Sequence, residues 1–181
     1  MWLLIVLILL VVVGTLIYNG LVRLNVQADN AWSDIDVQLK RRADLVPNLV
    51  ETVKGYAGHE KDTLERVVQA RTAAVGAQGS GPEARAGAEN MLSQALRQLF
   101  ALSEAYPQLQ ASQGFRDLQA SLQGIEGEVA SARRYYNAVV RDLNTRIRQV
   151  PSNVVARAGG FHEREFFEAD DADRAVPEVR F

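Results

Sequence analysis

The chain has 181 residues, enough for one domain with a hydrophobic core, and carries a net charge of −2 at pH 7. A nucleic-acid-binding surface needs clustered cationic side chains, so this charge balance argues against nucleic acid as a partner. The sequence contains no cysteine, which excludes structural disulfides, thiolate metal sites and cysteine nucleophiles.

The first predicted element is a membrane anchor. Residues 2–22 carry no charged side chain, and at about 1.5 Å per residue they would form a helix of roughly 31 Å, the thickness of a bilayer's hydrocarbon core. Trp2 and Tyr18 lie near its two ends, as in the aromatic belts of membrane proteins. No Lys or Arg precedes the apolar run and no Ala-x-Ala-like site follows it, so a cleaved signal peptide fits less well. We therefore predict that residues 1–23 form a transmembrane anchor.

Cationic side chains after the anchor predict its orientation. Arg23 follows the apolar run directly, and Lys40, Arg41 and Arg42 follow within about 20 residues of it, whereas the N-terminal flank has no Lys or Arg. Because cytoplasmic flanks are enriched in Lys and Arg, the sequence predicts a cytoplasmic soluble domain.

A long amphipathic helix is predicted to follow the anchor without a linker, over residues 24–75. Pro47 cannot donate an i→i−4 hydrogen bond, so it either kinks this helix by freeing the Ala43 carbonyl or ends it and starts another. The apolar face has the three-and-four spacing of a coiled coil. Its positions are Trp32, Ile35, Leu39, Arg42, Val46, Leu49, Val53 and Tyr56.

Two more helices are predicted at residues 83–106 and 115–150, after a glycine-rich turn, and each is followed by a proline. Ser80 and Glu83 fit a capping box at the start of the first of them. The predicted buried face of that helix consists of Ala84, Ala88, Met91, Ala95, Leu99 and Leu102.

The predicted fold is therefore all-α: an N-terminal transmembrane helix that continues into an antiparallel bundle of three to four long helices. Residues 24–150 form the predicted bundle. Residues 151–181 form a predicted C-terminal docking segment, which uses Phe161 and Phe166-Phe167, followed by a disordered acidic tail.

Helix lengths predict an uncovered apolar seam near the membrane. A helix over residues 24–75 would extend roughly 78 Å, whereas the two later helices would extend about 36 Å and 54 Å. If Pro47 leaves the first helix straight, its membrane-proximal seam stays bare, and a bare apolar surface indicates an interaction site. We predict that a second copy of the chain or another membrane protein covers Ala28, Trp32, Ile35 and Leu39.

Charged and polar residues also occur beside the predicted apolar faces. Glu126 and Arg133 share one heptad position, two turns apart, and we expect them to pair across the helix interface with Arg42 and Asp44. Such a network fixes helix register and partner choice. The less favoured interpretation is a carboxylate-dependent hydrolase that uses these four residues. The full predicted network is Arg42, Asp44, Asn48, Glu126, Arg133 and Asn137.

His59 and Glu60 are the remaining candidates for chemistry. Zinc needs three or four ligands, and a helix supplies two of them in the pattern H-E-x-x-H. Here Thr63 stands where the second histidine would be, so a polar residue at a helix surface is the simpler interpretation. We predict no catalytic residue, no metal ligand and no cofactor.

Several segments of the chain match the pattern of one known family. They include Ala31-Trp32-Ser33-Asp34-Ile35, Asp44-Leu45-Val46-Pro47-Asn48, Ala105-Tyr106-Pro107-Gln108-Leu109, Ala132-Arg133, Tyr135-Tyr136-Asn137, Gly160-Phe161 and Phe166-Phe167-Glu168. In these segments the chain resembles the bacterial LemA family. The resemblance implies a bacterial membrane protein with one N-terminal transmembrane helix and a helical-bundle domain, and it implies no established enzymatic activity.

The predicted function is that of a membrane-anchored scaffold or adaptor at the bacterial inner membrane, with no enzymatic activity. The expected partners are the lipid bilayer, through residues 2–22, and a second copy or another membrane protein. A signalling or stress-sensing module is one alternative, in which the continuous helix transmits a rotation or shift. A hydrolase that uses His59 and Glu60, or the polar cluster around Arg42, is the other.

Overall fold

The computed structural model describes residues 1–168, and within that range all regular secondary structure is helical. The prediction of an all-α chain with a long apolar N-terminal helix is therefore confirmed. The predicted acidic tail, the last dozen residues, lies outside the described residues. The helices are α1 (Trp2–Ala57), α2 (Lys61–Gly76), α3 (Pro82–Ser103), α4 (Pro107–Ala111), α5 (Gln113–Arg148) and α6 (Ser152–Ala158).

The chain divides into two compact units, and α1 and α5 contribute residues to both. Unit 1 contains Met1–Ile35 and Ser131–Phe166, and unit 2 contains Asp36–Ala130 with the described residues 167–168. The predicted boundaries at residues 23 and 150 separate a membrane anchor, a helical bundle and a C-terminal segment. They do not coincide with the boundaries of the two compact units, and they stay a prediction.

In unit 1, α5 runs antiparallel to α1. Trp32 packs against Tyr136 with 5.4 Å between ring centroids, and the Arg146 guanidinium lies beside Gly20. Lower residue numbers on α1 thus lie beside higher residue numbers on α5: residue 32 is next to residue 136, and residue 20 is next to residue 146. The core at this end is formed by Leu21, Leu143 and Ala156, against which Ile17, Leu24, Ile147, Val155 and Phe161 pack.

In unit 2, α2, α3 and α4 pack around residues 36–57 of α1 and residues 113–130 of α5. The aromatic rings of Phe100 and Phe115 meet edge to face at 6.1 Å and close one end of this core. The rest of the core is aliphatic, which suits close packing between helices. It includes Val46, Leu49, Val53, Leu64, Val67, Leu92, Leu96, Leu99, Leu109 and Leu122.

The predicted helix over residues 24–75 is interrupted, but not at Pro47. Helix α1 continues through Pro47 to Ala57, and the chain turns at residues 58–60 before α2 begins. The Ala43 carbonyl, which would otherwise accept the missing proline N–H, accepts a hydrogen bond from Arg71 Nε at 2.9 Å. A side chain of α2 thus replaces the backbone donor that proline lacks.

The predicted capping box at α3 is wrong. The N-cap residue is Gly81, in extended conformation, with no side-chain capping hydrogen bond, and Pro82 occupies the first helical turn. Proline at this position costs no hydrogen bond, because the first N–H groups of a helix have no partner within it. Ser80 lies one position too early to cap.

The prediction of a bare membrane-proximal seam is also wrong. Ala28, Ile35 and Leu39 are fully buried, and Trp32 is half-buried against Tyr136. The predicted helix lengths do not apply, because residues 24–75 do not form one continuous helix. Helix α2 folds back within unit 2, which shortens the stretch that needs cover, and the last half of α5 packs along α1 in unit 1.

Candidate functional site

Arg42 of α1 is the centre of a buried polar cluster in unit 2. Its side chain is 2% exposed, although it occupies a position on the apolar seam. The Nη2 group donates to Glu89 Oε2 at 2.5 Å, and Nη1 donates to Glu126 Oε1 at 2.5 Å and to Ser93 Oγ at 2.8 Å. One guanidinium thus connects α1 to both α3 and α5.

A second buried arginine, Arg85 of α3, extends the cluster. It is 1% exposed, and its Nη1 group donates to the Ala74 carbonyl near the end of α2 at 2.7 Å. Its Nη2 group lies 3.3 Å from Asp36 Oδ1 and 3.1 Å from Glu89 Oε1. Arg85 and Glu89 are four residues apart, so helix geometry places them on one face of α3.

The charges of this cluster largely satisfy one another. Glu89, which is 3% exposed, lies between the guanidinium groups of Arg42 and Arg85. The outer carboxylates, Glu126 and Asp36, are 45% and 47% exposed, so solvent stabilises their charge as well. Buried charge is tolerated where it is paired and hydrogen-bonded, and a cluster of this kind specifies which helix faces meet.

Three buried atoms of the cluster have no hydrogen-bond partner: Arg42 Nε, Arg85 Nε and Glu89 Oε1. Glu89 Oε1 is nevertheless 3.1 Å from Arg85 Nη2. We regard this contact as an ion pair whose N–H group is poorly aligned. The attraction between opposite charges does not require the N–H···O angle that a hydrogen bond requires.

The structure brings together only part of the predicted polar network. Arg42 and Glu126 form an ion pair. Asp44 and Asn48 are exposed, and Glu89 and Asp36 supply the other carboxylates instead. The two remaining members of the predicted network, Arg133 and Asn137, lie on the part of α5 that belongs to unit 1.

The predicted buried face of α3 was only partly right: Ala88, Ala95 and Leu99 are buried, but the face left out Arg85 and Glu89. The predicted face included Met91, which is 52% exposed. A signal was present: stepping back from Leu99 by three and four residues leads through Leu96, Leu92, Glu89 and Arg85. The charged residues Glu89 and Arg85 were not predicted as core positions, although all five residues of this series are buried.

His59 and Glu60 lie in the turn between α1 and α2. His59 is exposed, and Glu60 Oε1 accepts a hydrogen bond from Tyr106 Oη at 2.9 Å. This hydrogen bond to the carboxylate, with some desolvation, raises the pKa of Tyr106 above its ordinary value of 10.0. Within residues 1–168, no group of three or more His, Asp or Glu side chains is arranged to hold a metal ion.

A second polar cluster holds the segment after α6 against unit 1. The Asn144 amide forms two hydrogen bonds of 2.9 Å with the backbone of Arg164, one with its N–H and one with its carbonyl. The Arg164 guanidinium contacts Asn25 and, at 2.7 Å, Asp29 of α1. Tyr136 Oη donates to the Glu165 carbonyl at 2.9 Å.

Three pKa values reflect this docking. Burial is the main cause that raises the pKa of Tyr136 above 10.0, with Glu165 and Asp29 adding to the rise and Arg164 opposing it. The hydrogen bond from Arg148 lowers the pKa of Glu163 below 4.5, and it correspondingly raises the pKa of Arg148.

Comparison with known proteins identifies relatives over most of the chain. A sequence model of the LemA family matches residues 31–181. Magnetosome protein MamQ 2 of Paramagnetospirillum magneticum is 27% identical over 179 residues, which cover 86% of this chain. Magnetosome protein MamQ of Magnetospirillum gryphiswaldense is 26% identical over 189 residues, covering 90% of this chain and 70% of that protein.

Protein LemA of Metamycoplasma hominis is 25% identical over 158 residues, covering 86% of this chain and 71% of that protein. The chain spans 66% of the length of MamQ 2.

Proposed function

The chain belongs to the LemA family, and from this premise we propose that it is a single-pass protein of the bacterial plasma membrane whose helical domain serves as a scaffold or adaptor. The proposal assigns it no enzymatic reaction. Residues 2–22 are the proposed membrane span, and the proposed partner is a second copy or another membrane protein.

This proposal rests on the difference in exposure between the first residues of α1 and the rest of that helix. Residues 2–13 are all exposed, although every one of them is large and apolar, whereas the seam of the same helix is buried from Leu21 onward. The apolar part of α1 is long and apolar enough to cross a membrane, judged by length and composition. An exposed apolar surface of this size needs a non-aqueous environment, and a bilayer supplies it.

The polar cluster around Arg42 supports a structural role for the helical domain. Arg42, Arg85 and Glu89 are almost fully buried and contact one another, so their charges serve helix register rather than an exposed reaction centre. A scaffold needs helix faces held in one arrangement, and this cluster connects α1, α2, α3 and α5 within unit 2.

Cationic side chains support a cytoplasmic location for the helical domain. Arg23 follows the proposed span directly, and Arg146, Arg148 and Arg157 lie in the part of unit 1 that packs on residues 17–21. Positively charged residues at a membrane flank favour the cytoplasmic side.

The test is the mass of the full-length protein in lipid nanodiscs, with co-purifying proteins identified in the same sample. A scaffold should give a defined oligomer or a stoichiometric complex. A matched variant replaces residues 2–13 with an unrelated Leu/Ala transmembrane sequence and should keep the complex, because the helical domain provides the contacts. A monomer without a partner in both samples would contradict the proposal.

A sensor is the second candidate, because α1 is unbroken from its exposed apolar segment to Arg42. Rotation of α1 would move Arg42 away from Glu89 and Glu126, so the ion pairs would differ between two states. Spin labels on Lys40→Cys and Gln98→Cys, both exposed positions of unit 2, should show two populated distances in a sensor and one distance in a static scaffold.

A further inference from the structure

Contacts along α1 begin inside the proposed membrane span, not after it. Residues 2–13 are exposed, but Gly14, Ile17 and Gly20 are partly covered and Leu21 is buried. Gly159 approaches so closely that a Cβ there would lie 3.1 Å from the Tyr18 ring. The end of α5 and residues 155–159 therefore pack against residues 17–21 of the proposed span.

This placement fixes the depth of residues 149–159, which contain the turn after α5 and the short helix α6. We call this segment the α5–α6 turn. At 1.5 Å per residue, residues 14–22 account for about 13 Å of a span of about 31 Å. Any segment that packs beside residues 14–22 lies within that thickness as well. The inference rests on the proposed anchor: if residues 2–22 cross the bilayer, the turn lies in the same membrane.

The chemistry of the turn suits the boundary between headgroups and acyl chains. Val150 is 81% exposed and Val154 is 67% exposed, so two aliphatic side chains project outward at this end of unit 1. Ser152 Oγ donates to the Arg146 carbonyl at 2.6 Å, or to the Gln149 carbonyl at 3.0 Å. Such pairing of backbone groups at the end of α5 is what a weakly hydrated environment requires.

Further backbone pairs stabilise the same turn. The N–H groups of Asn153, Val154 and Gly159 donate to the carbonyls of Gln149, Pro151 and Val155, at 2.7, 3.2 and 2.9 Å.

The charges around the turn complement lipid phosphate. Residues 143–162 contain three arginines, Arg146, Arg148 and Arg157, and no Asp or Glu. Arg148 pairs with Glu163, whereas Arg146 and Arg157 are exposed. Long cationic side chains beside an apolar surface extend their charged ends to the headgroup layer.

We propose that the α5–α6 turn is a second membrane contact of this protein. Val150 and Val154 enter the boundary between headgroups and acyl chains, and Arg146 and Arg157 bind lipid phosphate groups. The partner surface is a phospholipid bilayer, and the same bilayer holds residues 2–22. The contact fixes the orientation of unit 1 on the membrane, which a single flexible anchor would leave free.

Depth measurement by spin labelling tests the proposal, and the absence of native cysteine makes single labels straightforward. The full-length protein, with a nitroxide on Val154→Cys, is reconstituted into vesicles of phosphatidylglycerol and phosphatidylcholine. Leu9→Cys is the control for the span. Ser131→Cys is the control for an exposed position on α5, beyond Tyr136 and far from the turn.

Oxygen concentrates in the bilayer and a nickel chelate concentrates in water, so their ratio of collision rates reports depth. Labels at residues 9 and 154 should favour oxygen, and the label at residue 131 should favour the chelate. A lipid-exposed label at residue 9 with a water-exposed label at residue 154 would overturn this inference and leave the anchor standing. A water-exposed label at residue 9 would overturn both.

The arginines are tested with the same label on residue 154. In the double variant Arg146→Gln, Arg157→Gln, the label should lie measurably closer to water, because two phosphate contacts are lost. Unchanged depth would overturn the assignment of the phosphate contacts to these arginines.

Discussion

At the residue scale, Arg42 shows how a permanent charge is held in a helix interface. Moving a guanidinium from water into a protein interior costs several kcal/mol, and that cost is offset only by close opposite charges and hydrogen bonds. Glu89 and Glu126 provide the charges, and Ser93 provides a further acceptor. The arrangement costs stability if any one partner is removed alone.

Replacing Arg42 with alanine should destabilise the protein by about 3–5 kcal/mol, because Glu89 would lose a buried partner. Replacing Arg41, its exposed neighbour, should change stability by no more than about 0.5 kcal/mol. The measurement is urea unfolding of the full-length protein in detergent micelles, followed by circular dichroism. Equal unfolding midpoints for the two variants would contradict a structural role for Arg42.

Arg71 should be coupled energetically to Pro47. Arg71→Ala leaves the Ala43 carbonyl without its donor and should cost about 1–3 kcal/mol. In a Pro47→Ala background, the new backbone N–H can bond to that carbonyl, so the same Arg71 substitution should cost less. A double-mutant cycle in the same unfolding assay measures the difference. A zero coupling energy would show that the arginine does not replace the missing donor.

At the element scale, a single side chain ties the segment after α6 to α5. Asn144 is 9% exposed and pairs with both backbone groups of Arg164, so its amide takes the place of a neighbouring strand. The segment has no regular secondary structure of its own to satisfy these groups. Its attachment therefore depends on side chains of α1 and α5.

Replacing Asn144 with alanine should loosen residues 161–166, because the Arg164 N–H and carbonyl lose their partners at a cost of about 1–3 kcal/mol. Hydrogen–deuterium exchange with mass spectrometry should show faster exchange in this segment. Thr145→Ala, at the exposed position next to Asn144, is the control and should leave the exchange unchanged. Similar exchange in both variants would refute the attachment role.

The contact between Arg148 and Glu163 should respond to acid. Glu163 has a folded-state pKa below 4.5, so its contribution to stability is present above pH 4.5 and is lost as the pH falls through the lower folded-state value. Carbon-13 NMR titration of the Glu163 carboxyl in full-length protein should show this lowered pKa. In Arg148→Gln the pKa should return toward 4.5; an unchanged value would exclude Arg148 as the cause.

At the scale of the whole molecule, charge is distributed unevenly although the net charge is only −2. The flank after the proposed span carries Arg23, and residues 143–162 of unit 1 contain three arginines and no Asp or Glu, although Arg148 pairs with Glu163. The excess of arginine lies at the end of unit 1 beside the proposed span, and membrane proteins carry such an excess on the cytoplasmic side.

The helical domain should accordingly face the cytoplasm. A membrane-impermeant maleimide added to intact spheroplasts should not label Ser131→Cys, which becomes reactive only after lysis. Ser131 is an exposed position outside the proposed span, so accessibility of the side chain is not limiting. Labelling of Ser131→Cys in intact cells would reverse the proposed orientation.

Local patterns in the sequence were sufficient for α3 and α5, but not for the break at residues 58–60 or for the short helices α4 and α6. Apolar residues at three-and-four spacing predicted α5, and Pro107 and Pro151 marked the helix boundaries near them, because proline cannot donate a backbone hydrogen bond. Periodicity also predicted that Ile35, Leu39 and Arg42 share one face of α1. These features depend on residues near one another in the chain.

Partner choice across helices depended on tertiary structure. Sequence reasoning paired Arg42 with Glu126 but missed Glu89, because periodicity can place Glu89 on the buried face of α3 but cannot show that the guanidinium groups of Arg42 and Arg85 lie beside it. The same holds for Arg71, whose partner is a backbone carbonyl 28 residues earlier. Neither contact leaves a periodic signal in the sequence.

Composition and periodicity by themselves determined the all-α fold and the apolar segment at residues 2–22, because both follow from side-chain hydrophobicity and helix geometry. Only the tertiary structure decided that the seam at Ala28 and Ile35 is covered by the chain itself. It also decided that the end of α5 and residues 155–159 pack beside residues 17–21. Both outcomes depend on contacts between residues far apart in the sequence, such as Trp32 with Tyr136 and Tyr18 with Phe161, and such contacts leave no local signal.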